Sequence, residues 1–206
     1  EKVRIVIFSN PCNPTSRIIT KEDIRKLINN TDALVVLDEA YMDFAEDESL
    51  LGEFENYDNL IILKTCSKAL GSAALRLGFA VANKTLTNVI RAVKSPYNVN
   101  SVSQALGEVL FAHPDYIDDC IETVVNSRKE LYSQILEIKS DKIEKIYETH
   151  TNFVFLKVKK AKEIFEKMKE NSIIIRNMGD YLRITAGTEY ENKKMLETFK
   201  KVLEEV

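Results

Sequence analysis

Thr65-Cys66-Ser67-Lys68-Ala69-Leu70-Gly71 places a lysine in a short polar loop directly after an apolar run, and Leu75-Arg76-Leu77-Gly78 follows with an arginine. That order suits a covalently held aldehyde that also carries a phosphate. The amine can bond to the carbonyl carbon and the guanidinium can pair with the phosphate. Two further loops add polar groups: Asn10-Pro11-Cys12-Asn13-Pro14-Thr15 supplies an amide, and Asp38-Glu39-Ala40-Tyr41 supplies carboxylates and a phenol.

These groups need a frame. Val3 to Phe8, Ala33 to Leu37 and Leu60 to Leu63 are short, continuously apolar runs, and Leu77 to Ala82 is a fourth. Runs of this kind read as strands covered on both faces, which predicts an α/β fold: a mostly parallel sheet with helices on either side. Thr20 with Asp23 marks the start of a helix over Lys21 to Asn29. Helical spacing then covers Leu86 to Val93, Val102 to Phe111, and a long stretch from Pro114 to about Ile138 that reads as a domain connector. Beyond it, Ile143 to Tyr147, Asn152 to Val158, Ile173 to Arg176 and Tyr181 to Thr185 read as strands. Helices are expected over Ala161 to Glu170 and from Thr188 to the end, where Thr188 and Glu191 fit a capping box. The predicted organisation is a large domain over 1–127 and a smaller α+β domain over 128–206.

In open parallel sheets, ligands gather beyond the carboxyl ends of the strands. Asn13, Asp38 and Lys68 each fall at or just past such an end, so three strands deliver an amide, a carboxylate and an amine to one edge. Singly, each has a plainer reading. Lys68 is a solvated loop lysine, Asn13 between two prolines is a turn residue, and Asp38-Glu39 resembles the acidic strand of P-loop ATPases. The last reading requires a G-x-x-x-x-G-K-[ST] loop, which these 206 residues do not contain.

With 45% hydrophobic and 30% charged residues, the chain can bury a core as one large domain or somewhat more. A net charge of -3 with mixed signs argues against nucleic acid, and no apolar run reaches the roughly 20 residues of a membrane span. Three cysteines in no metal-like spacing and two histidines argue for a reducing, cytoplasmic setting and against structural zinc. The chain begins Glu1-Lys2-Val3 and enters a strand at once, as expected of a segment cut from something longer.

Together the Asn13, Asp38–Tyr41 and Thr65–Gly78 segments resemble the pyridoxal-phosphate aminotransferases of the aspartate aminotransferase fold, and within them the histidinol-phosphate branch. The resemblance runs over essentially all of the chain, in family order. It implies a Schiff base on Lys68, a carboxylate at Asp38 that keeps the pyridine nitrogen protonated, and Tyr41 and Asn13 as donors to the phenolic oxygen. It further implies Arg76, Thr65 and Ser67 at the phosphate. Leu182-Arg183-Ile184-Thr185-Ala186-Gly187-Thr188 resembles the segment whose arginine grips the substrate carboxylate, and Arg176 matches an arginine that faces the substrate phosphate. Tyr97, in Ser95-Pro96-Tyr97-Asn98-Val99-Asn100, matches a pocket-lining position, although it equally suits a helix-entry turn.

The implied reaction is transamination between histidinol phosphate, a phosphorylated amino alcohol, and the 2-oxo acid 2-oxoglutarate, in histidine biosynthesis. The implied assembly is a homodimer, with no metal. Threonine-phosphate decarboxylase and aromatic aminotransferase are alternatives within the fold, and a truncated, catalytically incompetent domain is a third. Departures from the family pattern are Cys12, Ser16 in place of a common glycine, and an unusually short loop from Asn177 to Leu182. The family's amino-terminal arm, its phosphate-cradling loop and its ring-stacking aromatic are expected upstream of Glu1.

Overall fold

A computed structural model of the chain describes residues 2–45 and 48–206. The chain divides into two compact units, Glu1–Asn13 with Ile18–Ile121, and Pro14–Arg17 with Glu122–Val206.

The first unit runs β1 (Ile5–Ser9), α1 (Lys21–Asn29), β2 (Leu34–Asp38), β3 (Leu60–Thr65), β4 (Gly78–Ala82), α2 (Lys84–Val93), α3 (Ser101–Phe111) and the opening turns of α4 (Pro114–Leu136). α1 begins where the Thr20 hydroxyl accepts the Asp23 amide, and it buries Ile24 and Ile28, one turn apart. These two pack against Val35 and Leu37 of β2, Leu60 and Ile62 of β3, and Leu50. The strands lie in the order β1-β2-β3-β4. β1, β2 and β3 are parallel, with Ser9 opposite Asp38 and Asp38 opposite Leu63.

The sheet is mostly parallel, as expected, and its two edge strands differ from the centre. β4 runs antiparallel to β3. Its connection, Cys66 to Leu77, holds only the single 3-10 turn Ala73–Leu75 and no crossover helix, and a strand reached that way returns antiparallel. On β1, Ile5 is 54% and Ile7 68% exposed. They sit opposite Leu34 and Val36, on the side of the sheet away from the α1 core. A continuous apolar run permits burial on both faces but does not enforce it.

The second unit contains the rest of α4, then β5 (Ile143–Ile146), β6 (Phe153–Val158), α5 (Ala161–Glu170), β7 (Arg176–Met178), β8 (Tyr181–Thr185) and α6 (Glu189–Glu205). Its antiparallel sheet has the order β5-β6-β8-β7. Leu156 and Leu182 from one face meet Leu131 of α4, Ile164 and Met168 of α5, and Phe199 and Val202 of α6. On the other face Phe155 and Tyr181 stack, with centroids 5.0 Å apart and planes 9° from parallel. α6 opens with the capping box expected from Thr188 and Glu191.

The expected strand Ile173 to Arg176 is shifted: pairing starts only at Arg176 and runs to Met178. Ile175 is buried and Ile173 packs on the core, so that apolar run serves side-chain packing before the backbone joins β8. The link between the two strands is then Gly179-Asp180 alone, tighter than an Asn177 to Leu182 loop.

Pro14–Arg17 joins this unit through Ser16, which is fully buried with a left-handed backbone at φ 58. Its hydroxyl lies 2.8 Å from the Thr151 hydroxyl and accepts the His150 amide at 2.8 Å. Those bonds offset the steric cost that a non-glycine residue meets there. α6 contributes Met195, Leu196, Phe199, Val202 and Leu203 to the unit's core. Phe199, 0% exposed, is expected on truncation to alanine to lose about 3–5 kcal/mol. Urea unfolding of Phe199→Ala checks this, and a loss below about 1 kcal/mol would remove Phe199 from the core account. Among the described residues no helix is long and apolar enough to cross a membrane.

Candidate active site

The parallel register brings the carboxyl ends of β1, β2 and β3 level, and the Asn10 amide donates to the Asp38 carbonyl at 2.9 Å. The Asn10 side chain is fully buried and spans its own loop: it accepts the Ile19 amide at 2.7 Å and donates to the Ile19 carbonyl at 3.0 Å. Asn13 lies in the loop that Asn10 thus closes. Asp38 is half-buried, and its Oδ1 accepts the Ala40 amide at 3.0 Å, so the turn backbone orients the carboxylate. Tyr41, 7% exposed, packs its ring beneath Lys68, whose Nζ lies 5.3 Å from the ring centroid.

The Lys68 loop is closed by its own backbone. Gly71 donates to the Lys68 carbonyl at 3.1 Å, Ser72 to Cys66 at 2.9 Å, and Cys66 to Leu77 at 3.0 Å. This closure returns Arg76 beside the start of the loop, where Thr65 pairs with Gly78 across β3 and β4. A methyl group at Gly78 would come within 3.0 Å of the Lys64 carbonyl, so glycine permits the close approach. Thr65 Oγ1 accepts the Ser67 amide at 3.1 Å. Arg76 is exposed and donates to the Ala73 carbonyl at 3.0 Å. Thus Asp38, Tyr41, Thr65, Ser67, Lys68 and Arg76 gather at one end of the first sheet. Tyr97 stands 97% exposed, with a left-handed backbone at φ 58.

Asn10 and Glu39 have roles in the structure that their sequence positions did not suggest. Glu39 is fully buried; its carboxylate accepts the Ser49 hydroxyl at 2.6 Å and the Leu50 amide at 3.1 Å. Burial pushes this carboxyl above its ordinary value of 4.5, against the pull of Ser49, Leu50 and Lys64. A carboxyl whose value is raised by folding stabilises the fold fully below the unfolded value, and that contribution is lost as pH rises through the folded value. Replacement by glutamine removes this dependence. The melting temperature of Glu39→Gln relative to the unmodified chain is therefore expected to improve between about pH 4 and about pH 7. A difference that stays flat across that range would contradict the account.

In the second unit, Arg176 and Arg183 face each other directly across β7 and β8. Both line a cavity of about 610 Å³, together with Thr185, Tyr190 and Lys194. The Arg183 guanidinium lies 4.9 Å from the Phe153 ring centroid. The turn after β8 is pinned by Asn192, which accepts the Gly187 amide at 2.9 Å and donates to Ser127 at 2.8 Å.

The sequence profile of the family described as aminotransferase class I and II matches residues 1–199. The chain belongs to that family. Histidinol-phosphate aminotransferase of Clostridium novyi (strain NT) is 44% identical over 205 residues, covering 97% of this chain and 56% of that protein. Solved structures that share the fold include the following two. Histidinol-phosphate aminotransferase from Clostridium acetobutylicum has a TM-score of 0.89 at 23% identity, over 98% of this chain and 64% of that one. L-threonine-O-3-phosphate decarboxylase from Porphyromonas gingivalis has a TM-score of 0.86 at 25% identity, over 98% of this chain and 65% of that one. The α/β architecture expected from the apolar runs is the one these neighbours adopt. The chain spans little more than half the length of the curated relatives it matches.

Proposed function

We propose that this chain carries the lysine-bearing and substrate-gripping parts of a pyridoxal-phosphate-dependent transaminase that exchanges an amino group between histidinol phosphate and 2-oxoglutarate. The observation that carries this reading is the gathering of Asp38, Tyr41 and Lys68 at the carboxyl ends of β2 and β3, with the lysine amine 5.3 Å from the tyrosine ring centroid. The donor set fits the cofactor: an amine for its aldehyde, a carboxylate for its ring nitrogen, a phenol and the Asn13 amide for its phenolic oxygen, and Arg76 with Thr65 and Ser67 for its phosphate. When bound, pyridoxal phosphate supplies an electron sink that acidifies the substrate Cα–H bond.

The chain's own groups do the rest. Asp38 would keep the cofactor's ring nitrogen protonated, because a carboxylate beside a cation favours the charged form. Tyr41 and Asn13 would donate to the phenolic oxygen. Lys68 would hold the cofactor's aldehyde, and its free amine would serve as the base that accepts the substrate's Cα proton and as the acid that gives a proton back.

Arg176 and Arg183 support a phosphorylated substrate. They stand opposite each other across β7 and β8 and line one cavity with Lys194, and guanidinium groups bind phosphate and carboxylate well. The likeness to threonine-phosphate decarboxylase keeps a second reading in play, since the same arginines suit that substrate's phosphate. By resemblance, Tyr41 stands where the decarboxylases often carry phenylalanine, which favours transamination. The test is to supply the whole protein that contains this chain with pyridoxal phosphate, histidinol phosphate and 2-oxoglutarate and measure glutamate. Glutamate formation is expected. Release of carbon dioxide from O-phosphothreonine, without glutamate from the first pair, would overturn the reading in favour of the decarboxylase.

A further inference from the structure

The geometry points to Glu39 as a positioning residue, a buried carboxylate that holds the Asp38–Tyr41 turn in place by fastening it to Ser49 and Leu50. This rests on the transaminase reading, because it is Asp38 and Tyr41 whose placement it sets.

Glu39 sits between the two. Side chains alternate at a strand end, so Asp38 and Glu39 leave β2 on opposite sides. The backbone around Glu39 is tied twice: its amide donates to the Leu63 carbonyl of β3 at 2.9 Å, and its carbonyl accepts the Met42 amide at 3.1 Å. The carboxylate adds a third tie, with one oxygen on the Ser49 hydroxyl and the other on the Leu50 amide. Leu50 is fully buried among Ile24, Val35 and Leu60, so that tie is anchored in the core.

The consequence reaches the site through Ala40. Its amide is the donor that orients the Asp38 carboxylate, so any shift of the turn moves that carboxylate and the Tyr41 ring under Lys68 together. A buried carboxylate is an expensive way to fill a core, since an apolar side chain of similar size avoids the desolvation cost. Two directed bonds to one loop specify a geometry that an apolar side chain does not.

The test compares the unmodified chain with Glu39→Ala, Glu39→Gln and Ser49→Ala by two readouts. The first is amide hydrogen exchange at Ala40 against Val35 and Ile62 in the core, which needs no cofactor. The second is the dissociation constant for pyridoxal phosphate from its absorbance. Glu39→Ala leaves the Ser49 hydroxyl and the Leu50 amide without their acceptor. It is expected to speed Ala40 exchange and weaken pyridoxal phosphate by about tenfold each, with Val35 and Ile62 unchanged. Glutamine keeps an acceptor for Leu50 and can donate to Ser49, so both readouts should return to within about threefold of the unmodified chain.

Unchanged Ala40 exchange and unchanged affinity in Glu39→Ala would overturn the proposal. So would an equal loss of protection at Ala40, Val35 and Ile62, which is the mark of a merely structural role. If the unmodified chain takes up no pyridoxal phosphate, the transaminase reading fails by itself and Ala40 exchange still decides the brace. If Glu39→Ala does not fold, Ser49→Ala removes one of the two bonds and must show the same selective change at Ala40, in smaller measure, for the proposal to stand.

Discussion

Lys68→Ala is expected to abolish the saturable visible band that pyridoxal phosphate forms with this protein, together with the borohydride-stable adduct. Lys68 is solvent-exposed on a loop closed by backbone bonds, and its amine is the cation above the Tyr41 ring. The nearest lysine in sequence cannot stand in for it. Lys64 is only 17% exposed, and its side-chain nitrogen is engaged by the Asp43 carboxylate at 2.6 Å. Alanine at position 68 removes a side chain with few packing contacts, so the fold should survive and the effect should be confined to covalent binding. Absorbance titration followed by reduction and intact-mass measurement checks it. An adduct of undiminished yield in Lys68→Ala would remove the lysine from the proposed role.

Asp38→Asn is expected to produce the second largest loss. The carboxylate's contribution is its charge, and a hydrogen bond between charged groups is worth about 1.5–3 kcal/mol, which corresponds to about 10–100-fold in the dissociation constant for pyridoxal phosphate. Asparagine retains an oxygen to accept the Ala40 amide, so the turn itself should hold and the change isolates charge from geometry. The melting temperature should therefore move little while affinity falls. Equal affinity in the variant would exclude Asp38 as the partner of a protonated ring nitrogen.

How much of this was legible beforehand differs from element to element. Helix α1 declared itself through Thr20 and Asp23, and α6 through Thr188 and Glu191, because a cap is a local bond between residues three apart. The run from Ile173 to Ile175 misled, because apolar residues that pack a core look the same in sequence whether or not their backbone is paired. The direction of β4 could have been inferred from the helix-free connection after Thr65, since periodicity carries no sense of direction but connection length does.

The position of Asp38 and Lys68 at the sheet edge was readable because each falls at or just past the end of an apolar strand, whereas Tyr41 came with the family resemblance. The role of Glu39 was not readable, because its partners Ser49 and Leu50 lie in a stretch without any pattern that announces a loop folding back on a strand end. The opposition of Arg176 and Arg183 was hidden by the same shift that displaced β7: only the true register places them face to face.

The most direct measurement is a titration of the unmodified chain with pyridoxal phosphate, followed by borohydride reduction and peptide mapping. A saturable band and one reduced adduct, located on Lys68, are expected. A folded protein that gives no saturable band, or one whose adducts scatter over other lysines without favouring Lys68, would contradict the assignment of Lys68.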